Sequence, residues 1–369
     1  MCNDLSPAAL ELRTFLGKAL PEFHAEWGDD RSFAARRAWQ ARMNEGRWAA
    51  PSWPVEFGGR GLTVTERVEC DTELARVGAP IMAGVLGLQN VGPALIMFGT
   101  YEQRELLPRI LSGDEIWVQG FSEPGAGSDL ASLLTRAELD DDVFTINGQK
   151  VWTTNGMEAT HGFILARTDR DAAKHRGLSV LLVDLQVPGI DRRPLRQITG
   201  ESEFAEMFFT DVRVPRSALL GGMHDGWRVT METLGYERTG VINMAARLQR
   251  EVEKAVAQLE VSDPAIRDQL TRRWMEGKIL GLMGARALAG LQQGQPPGAE
   301  QSIIKFGWSL AQGKLGETIV DAAGPGALVG NHPATFDFLR SRASTIAAGT
   351  TEVLRTMLGE RVLGLPRET

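Results

Sequence analysis

The sequence predicts an α+β multidomain fold. An N-terminal helical domain covers residues 1–114, a central antiparallel β-barrel or sandwich 115–225, and a C-terminal helical bundle 226–369. Three observations carry this reading. Capped helical stretches run up to Gly113, β-branched and aromatic runs separated by Gly, Pro, Asp and Asn begin after Glu115, and the helical period returns after Gly226. A chain of 369 residues also fits two or three domains at roughly 100–200 residues each.

In the first domain, Ser6 and Pro7 form an N-cap and a first-turn proline, followed by Leu12, Phe15, Leu16, Ala19 and Leu20 on one face. A second helix spans about Asp30 to Asn44 and stops near Gly46. Thr63-x-x-Glu66 and Thr100-x-x-Gln103 are capping boxes that open further helices. Gly78 and Gly113 close helices as C-terminal glycines do. The proline- and glycine-rich WPVEFGGRGL at 53–62 connects them. Ile81 to Phe98 is apolar but broken by Gln89, Asn90 and Pro93. A membrane span needs about 20 mostly apolar residues, so this stretch reads as a buried helix pair.

The strand candidates are IWVQGFS (116–122), VFTINGQKVWTT (143–154), HGFILART (161–168), LSVLLVDL (178–185) and EMFFTDVRVP (206–215). Asn147-Gly148 predicts a tight hairpin turn that puts Val151 to Asn155 on the return strand. In the last domain Leu234, Val241, Ala245, Leu248, Val252, Val256 and Leu259 recur at helical spacing and predict one long amphipathic helix. Ser262, Asp263 and Pro264 end it and open the next, which runs to about Gln292. GQPPG (294–298) is a turn, a helix follows from Glu300 to about Ala322, and Thr350 or Thr351 caps the last one.

Composition excludes several classes. A net charge of −7 argues against nonspecific nucleic-acid binding, and 43% hydrophobic with 24% charged residues is the make-up of a soluble globular protein. Of the 40 basic residues 33 are arginine, which suits bidentate phosphate contacts and equally follows from base composition. Cys2 and Cys70 make no disulfide framework. The five histidines (24, 161, 175, 224, 332) show no metal-ligand spacing, and His161 reads as structural at a strand start. The start, MCNDLSPAALELR, shows no basic region followed by an apolar stretch, so the cytoplasm is the expected compartment. No GxGxxG follows a strand, and neither GxxxxGK[ST] nor HExxH occurs.

Three constellations can carry chemistry. In FSEPGAGSDLASL (121–133), Ser122 ends a strand, Pro124-Gly125-Ala126-Gly127 turns, and Ser128 and Asp129 follow. Glycines let backbone N–H groups approach an anion and Ser128 adds a hydroxyl donor, although an ordinary strand-to-strand loop has the same residues. In VWTTNG (151–156), Trp152 and Thr154 share one face. An indole beside a hydroxyl could stack on a planar cofactor, or the tryptophan could be core. Glu237 falls on the apolar stripe of the long helix, while Arg238 points about 100° away. A half-desolvated carboxylate there suits proton abstraction, and pairing with an arginine of another helix is the alternative.

On WPVEFGGRGL, FSEPGAGSDLASL, NGQKVWTTNG, EFAEMFFTDVRVP and STIAAGTTEVLRTMLGERVLGL, the chain resembles the acyl-CoA dehydrogenase family along nearly its whole length. The resemblance implies FAD between the β domain and the C-terminal helices, with an acyl-CoA thioester against the flavin. It places Phe121 and Ser122 at the isoalloxazine edge, and Gly127 and Ser128 near the phosphopantetheine or the flavin phosphates. It packs Trp152 on the flavin, sets Thr154 near the reactive nitrogen, and assigns Thr350 with Glu352 to the flavin and adenosine surroundings. It implies α,β-dehydrogenation, with α-proton removal by a carboxylate and β-hydride passage to flavin.

Many members carry the base just before the glycine of the C-terminal motif, where this chain has Ala348. Isovaleryl- and long-chain-type members place it on the long helix before an arginine, which Glu237-Arg238 matches, with Arg238 on the substrate side. The family's R-x-x-F-G has no match in VSDPAIRDQLTRR, and DAAGPG (321–326) lacks the usual glycine pair. Both departures look like bacterial dehydrogenases acting on sterol side-chain CoA thioesters, some of them heteromeric. The expected partners are an acyl-CoA, an electron-transfer flavoprotein, and further copies of the chain or a related subunit. Oxidase, monooxygenase, carrier-protein-thioester dehydrogenase and non-catalytic subunit are the alternatives.

Overall fold

A computed structural model describes residues 5–237, 244–259, 262–293, 295, 298–329 and 332–366. It has a helical N-terminal region, a β middle region and a helical C-terminal region. Contacts gather it into two compact units: Glu11–Leu62 with Pro80–Glu237, and Met1–Leu10 with Thr63–Ala79 and Arg238–Thr369.

The first unit holds most of α1 (Pro7–Trp27), then α2 (Phe33–Glu45). Leu12, Leu16, Ala19 and Phe23 are the buried stripe of α1, and the Phe23 ring meets the Trp39 ring of α2 edge-on at 5.2 Å. Ser32 caps α2, with its side chain accepting from Ala35 N. The α3 helix (Val64–Val77), in the second unit, carries the Thr63/Glu66 capping box and ends on Gly78.

The apolar 81–98 stretch is a π-helical turn, Gly87–Val91, running into α4 (Gly92–Phe98). It is buried against Trp53, whose indole N–H donates to Leu88 O at 3.1 Å. The short α5 (Tyr101–Arg104) carries the second capping box, and α6 (Leu107–Ser112) ends on left-handed Gly113. No helix among the described residues is long and apolar enough to cross a membrane.

The β region is one eight-stranded sheet. It consists of β1 (Trp117–Gly120), β2 (Arg136–Asp140), β3 (Val143–Thr154), β4 (His161–Arg167), β5 (Leu178–Asp184), β6 (Ile190–Leu195), β7 (Phe204–Pro215) and β8 (Leu219–Leu220). The order is β6-β7-β3-β2-β4-β5-β8, with β1 added beside β4. The expected antiparallel pairing holds except at β4, where β1 runs parallel over Trp117–Gly120 and β2 touches parallel at Arg136↔Arg167. The reason is connectivity: the β2–β3 hairpin intervenes before β4, so β4 re-enters in the direction of β1. Val118, Phe144, Ile146, Ile164, Leu181 and Met207 fill the core on one face of the sheet.

The hairpin expected at Asn147-Gly148 is not there. The β3 strand runs unbroken through both residues, and the turn lies at Asp141-Asp142, with Asp140 paired to Val143 and Asp141 at φ 51°. Asn147 instead makes a reciprocal pair with Asp211 of β7: its amide donates to Asp211 Oδ1 and its Oδ1 accepts from Asp211 N, both at 3.0 Å. The register slips between Ile146 and Gly148. The glycine thus serves a bulge, at φ 153°, where an added Cβ would lie 2.6 Å from Thr135 Cα.

In the second unit, α8 (Met244–Gln258) buries Ala245, Leu248, Val252 and Ala255 at helical spacing against α9 (Pro264–Gln292) and α10 (Glu300–Ala323). Arg250 donates to Ala75 O of α3 at 2.9 Å. Two more helices follow, α11 (Pro333–Ser341) and α12 (Thr351–Arg361). Thr350 is the cap of α12, accepting from Val353 N at 3.2 Å. The long helix expected through Leu234 to Leu259 is described as α7 (Gly226–Glu237) and α8; residues 238–243 between them lie outside the described residues.

Gly148→Ala is expected to lower unfolding stability by about 2–4 kcal/mol, from a strained positive φ and a clash with backbone. Denaturant titration checks it; a midpoint equal to that of the parent chain would contradict the bulge assignment.

Candidate cofactor-binding site

The site begins where β1 ends. Phe121 is buried against Phe163, ring centroids 5.7 Å apart, and leaves Ser122 half-buried. Glu123 and Ala126 exchange backbone hydrogen bonds, N–H to O at 3.0 and 3.1 Å, which closes a tight turn over Pro124-Gly125. Beyond it Gly127 and Ser128 are exposed. A Cβ added at Gly125 or Gly127 would meet nothing within 4 Å, so a ligand can reach this backbone from outside. Asp129 accepts from Lys174 Nζ at 2.7 Å, and that hydrogen bond holds its carboxyl below the usual range.

The second half is the end of β3. Trp152 sits at φ 61°, where a bulge shifts the register between Lys150 and Thr153. This backbone turns the indole out: it is 60% exposed and meets the edge of Phe204 at 5.9 Å and 83°. A core tryptophan is thereby excluded. Thr153 points inward and is fully buried, and Thr154, half-buried, pairs with Phe204 on β7. Asn155, also at positive φ, ties the strand end to Ala83 O through its amide at 3.3 Å.

What joins the halves was not anticipated. Lys150 is completely buried, and its Nζ donates to Glu123 Oε1 at 2.9 Å and to Phe121 O at 3.0 Å. Glu123 also accepts from Leu134 N at 2.7 Å and Thr135 N at 2.8 Å. Val151 N donates to Ser122 O at 2.9 Å, so residues 121, 122 and 123 are each held by 150 or 151. Burial pulls the Lys150 pKa from 10.5 down to about 8, against the opposing attraction of Glu123. Burial also pushes Glu123 up, but Lys150 and the donors at 134 and 135 outweigh it, and the carboxyl stays below its usual range. The signal available in the sequence was a charged residue inside each of two otherwise apolar or small-residue motifs.

The structure brings Phe121, Ser122, Trp152 and Thr154 together, with Gly127 and Ser128 on the same loop. Thr350 and Glu352 belong to the other compact unit, Thr350 as helix cap and Glu352 exposed in the first turn of α12. Glu237 is the last residue of α7; its side chain, and Arg238 as a whole, lie outside the described residues. His161 is structural, its ring stacked on Trp117 at 4.7 Å and its Nδ1 2.9 Å from Thr160 Oγ1. An outward indole, a neighbouring hydroxyl and a glycine loop with free approach fit a flat, phosphate-bearing cofactor. Beside this loop, Arg136, Arg167, Arg170, Glu138, Asp169 and His224 are among the residues lining a cleft of about 330 Å³. Arg167 there donates to Ala131 O and Leu133 O, just past Ser128.

Comparison with known proteins gives one answer along the whole chain. The family models described as acyl-CoA dehydrogenase N-terminal, middle and C-terminal domains match residues 8–114, 119–212 and 224–363. Acyl-CoA dehydrogenase IpdE1 of Mycobacterium tuberculosis is 43% identical over 350 residues, 91% of this chain and 90% of that protein. Acyl-CoA dehydrogenase FadE29 of the same organism is 32% identical, covering 100% of this chain and 99% of its own. Among solved structures, the Tcur3481-Tcur3483 steroid ACAD matches with a TM-score of 0.88 at 28% identity, covering 100% of both chains. The ChsE4-ChsE5 complex from Mycobacterium tuberculosis matches at 0.81 and 29%, also covering 100% of both.

A lysine that titrates at about 8 when folded and at 10.5 when unfolded binds its proton less tightly in the folded state. Stability is therefore gained as pH rises through that window. The midpoint difference between wild type and Lys150→Met should move in favour of wild type from about pH 7 to about pH 10. Parallel denaturation curves across that range would contradict it.

Proposed function

Because the chain belongs to the acyl-CoA dehydrogenase family, we propose that it oxidises the Cα–Cβ bond of an acyl-CoA thioester, using FAD. The observation that supports the cofactor assignment is the Phe121–Ser128 loop clamped beside the outward Trp152. In this reading Phe121 and Ser122 would hold the isoalloxazine edge, Trp152 would pack on the ring, and Thr154 would donate to it. Gly127 and Ser128 supply amide and hydroxyl donors to phosphate or pantetheine, and Thr350 with Glu352 forms part of the flavin and adenosine surroundings.

Glu237 is the base. Its carboxylate takes the α-proton, made acidic while the thioester oxygen is held by hydrogen bonds, and Arg238 beside it orients the substrate. Bound FAD supplies the acceptor for the hydride leaving Cβ, which leaves a Cα=Cβ double bond. An electron-transfer flavoprotein would be the partner that receives the electrons. Ala348, where many members carry their base, leaves that role to Glu237 at the end of α7.

Two finer readings follow. The arginine-lined cleft past Ser128 suits the phosphates of CoA, which favours CoA over a carrier-protein thioester. The missing R-x-x-F-G and the likeness to two solved assemblies named as pairs favour a heteromer acting on a steroid-type acyl group.

Full-length protein, alone or with a related subunit, is expected to be yellow and to bleach anaerobically with an acyl-CoA. A colourless, inert protein in both forms sinks the flavin reading. Glu237→Gln should slow bleaching by about 10²–10⁴-fold, and undiminished bleaching moves the base elsewhere. Arg170→Gln should raise KM for acyl-CoA about threefold to tenfold while leaving KM for the acyl-pantetheine thioester unchanged. An equal effect on both thioesters would remove CoA phosphate from the cleft.

A further inference from the structure

Lys150 lies where a charge is costly. A Cβ added at Gly120 would touch Lys150 Cγ and Met207 Cε, both at 3.5 Å, and Met207 belongs to the hydrophobic core of the sheet. A well-packed apolar pair of similar volume would fill such a space without the desolvation penalty of two ions. What an ion pair adds is direction, since Nζ must meet Glu123 Oε1 and Phe121 O together.

The loop closes on itself through Glu123 and Ala126 and is pinned farther on by the Asp129–Lys174 pair, but its tip stays open. No atom lies within 4 Å of a Cβ position at Gly125 or Gly127, and Ser128 is exposed. Across from it, the ring contact of Trp152 among the described residues is the edge of Phe204, and Thr153 Oγ1 is buried without a hydrogen-bond partner. The spacing between loop and indole thus passes through the contacts of Lys150 and Val151 with residues 121–123.

We propose that Lys150 and Glu123 are positioning residues, which touch no cofactor but hold the Phe121–Ser128 loop at a fixed spacing from Trp152 and Thr154, so that both halves of the cradle stand ready before a ligand arrives. The proposal rests on the flavin reading only for what the cradle holds. Pre-organisation of this kind shows in affinity, because a loose cradle must be ordered by the ligand itself.

The test is the double variant Lys150→Met/Glu123→Gln in the full-length chain, which removes both charges with little change of volume. The melting temperature should stay close to that of wild type, whereas amide exchange without ligand should quicken about tenfold or more in segments 121–128 and 151–155 alone. FAD should bind about tenfold or more weakly, with a shifted flavin absorbance band. Single Lys150→Met should lose melting temperature where the double variant does not, because it leaves Glu123 buried without its cation.

Unchanged exchange in both segments overturns the proposal. So does exchange that quickens throughout the chain as the melting temperature falls, which would make the pair ordinary structural support. A wild-type protein that takes up no FAD, alone or with a related subunit, overturns the flavin reading, and the exchange measurement still decides the positioning role.

Discussion

An ammonium group enclosed in the hydrophobic core of a sheet constrains everything around it. Lys150 cannot be left unpaired, because an isolated charge there would lose its hydration with nothing in return. Its two acceptors come from residues 121 and 123, so the backbone after β1 must run beside β3 at hydrogen-bonding distance. Glu123 is then fixed in turn by the amides of Leu134 and Thr135. One buried charge thus ties together the end of β1, the start of β2 and the middle of β3, and the exposed loop between them inherits their rigidity.

Irregular backbone does the rest of the shaping. Two bulges interrupt β3, one at Gly148 and one at Trp152, and the second rotates the indole away from the core. A regular strand would alternate sides strictly, and the chain uses the break to turn a large aromatic face outward. The cost of left-handed backbone at Trp152 and Asn155 is sustained by neighbours that hold both ends: Val151 N on Ser122 O, and Asn155 N on Glu203 O at 2.8 Å. Such strain clusters where a fold presents side chains for binding rather than packing.

The charge balance reads differently with the fold in view. Members of this family use FAD and an acyl-CoA, so a chain of net charge −7 would take up two phosphate-bearing anions against its own average field. Local donors would have to decide: the loop amides with Ser128 on one side, and Arg136 and Arg170 at the neighbouring cleft on the other. At short range a few oriented donors outweigh a diffuse excess of distant, screened carboxylates.

By itself the sequence determined the order of helical and β regions, the capping boxes at Thr63 and Thr100, the terminating glycines and the motif loop, because each depends on residues a few positions apart. It also singled out Ser122, Trp152 and Thr154, which the fold gathers on adjoining segments. Other features depended on partners distant in the chain. Asn147-Gly148 carries the local chemistry of a hairpin, yet Asp211, 64 positions away, captures the Asn147 side chain and makes the pair a bulge. The parallel run of β1 beside β4 and the exposure of Trp152 were likewise settled by strands that meet only in the folded sheet. The role of Lys150 is of the same kind: a lysine in a strand is unremarkable until the core closes over it and leaves Glu123 and one carbonyl to receive its charge.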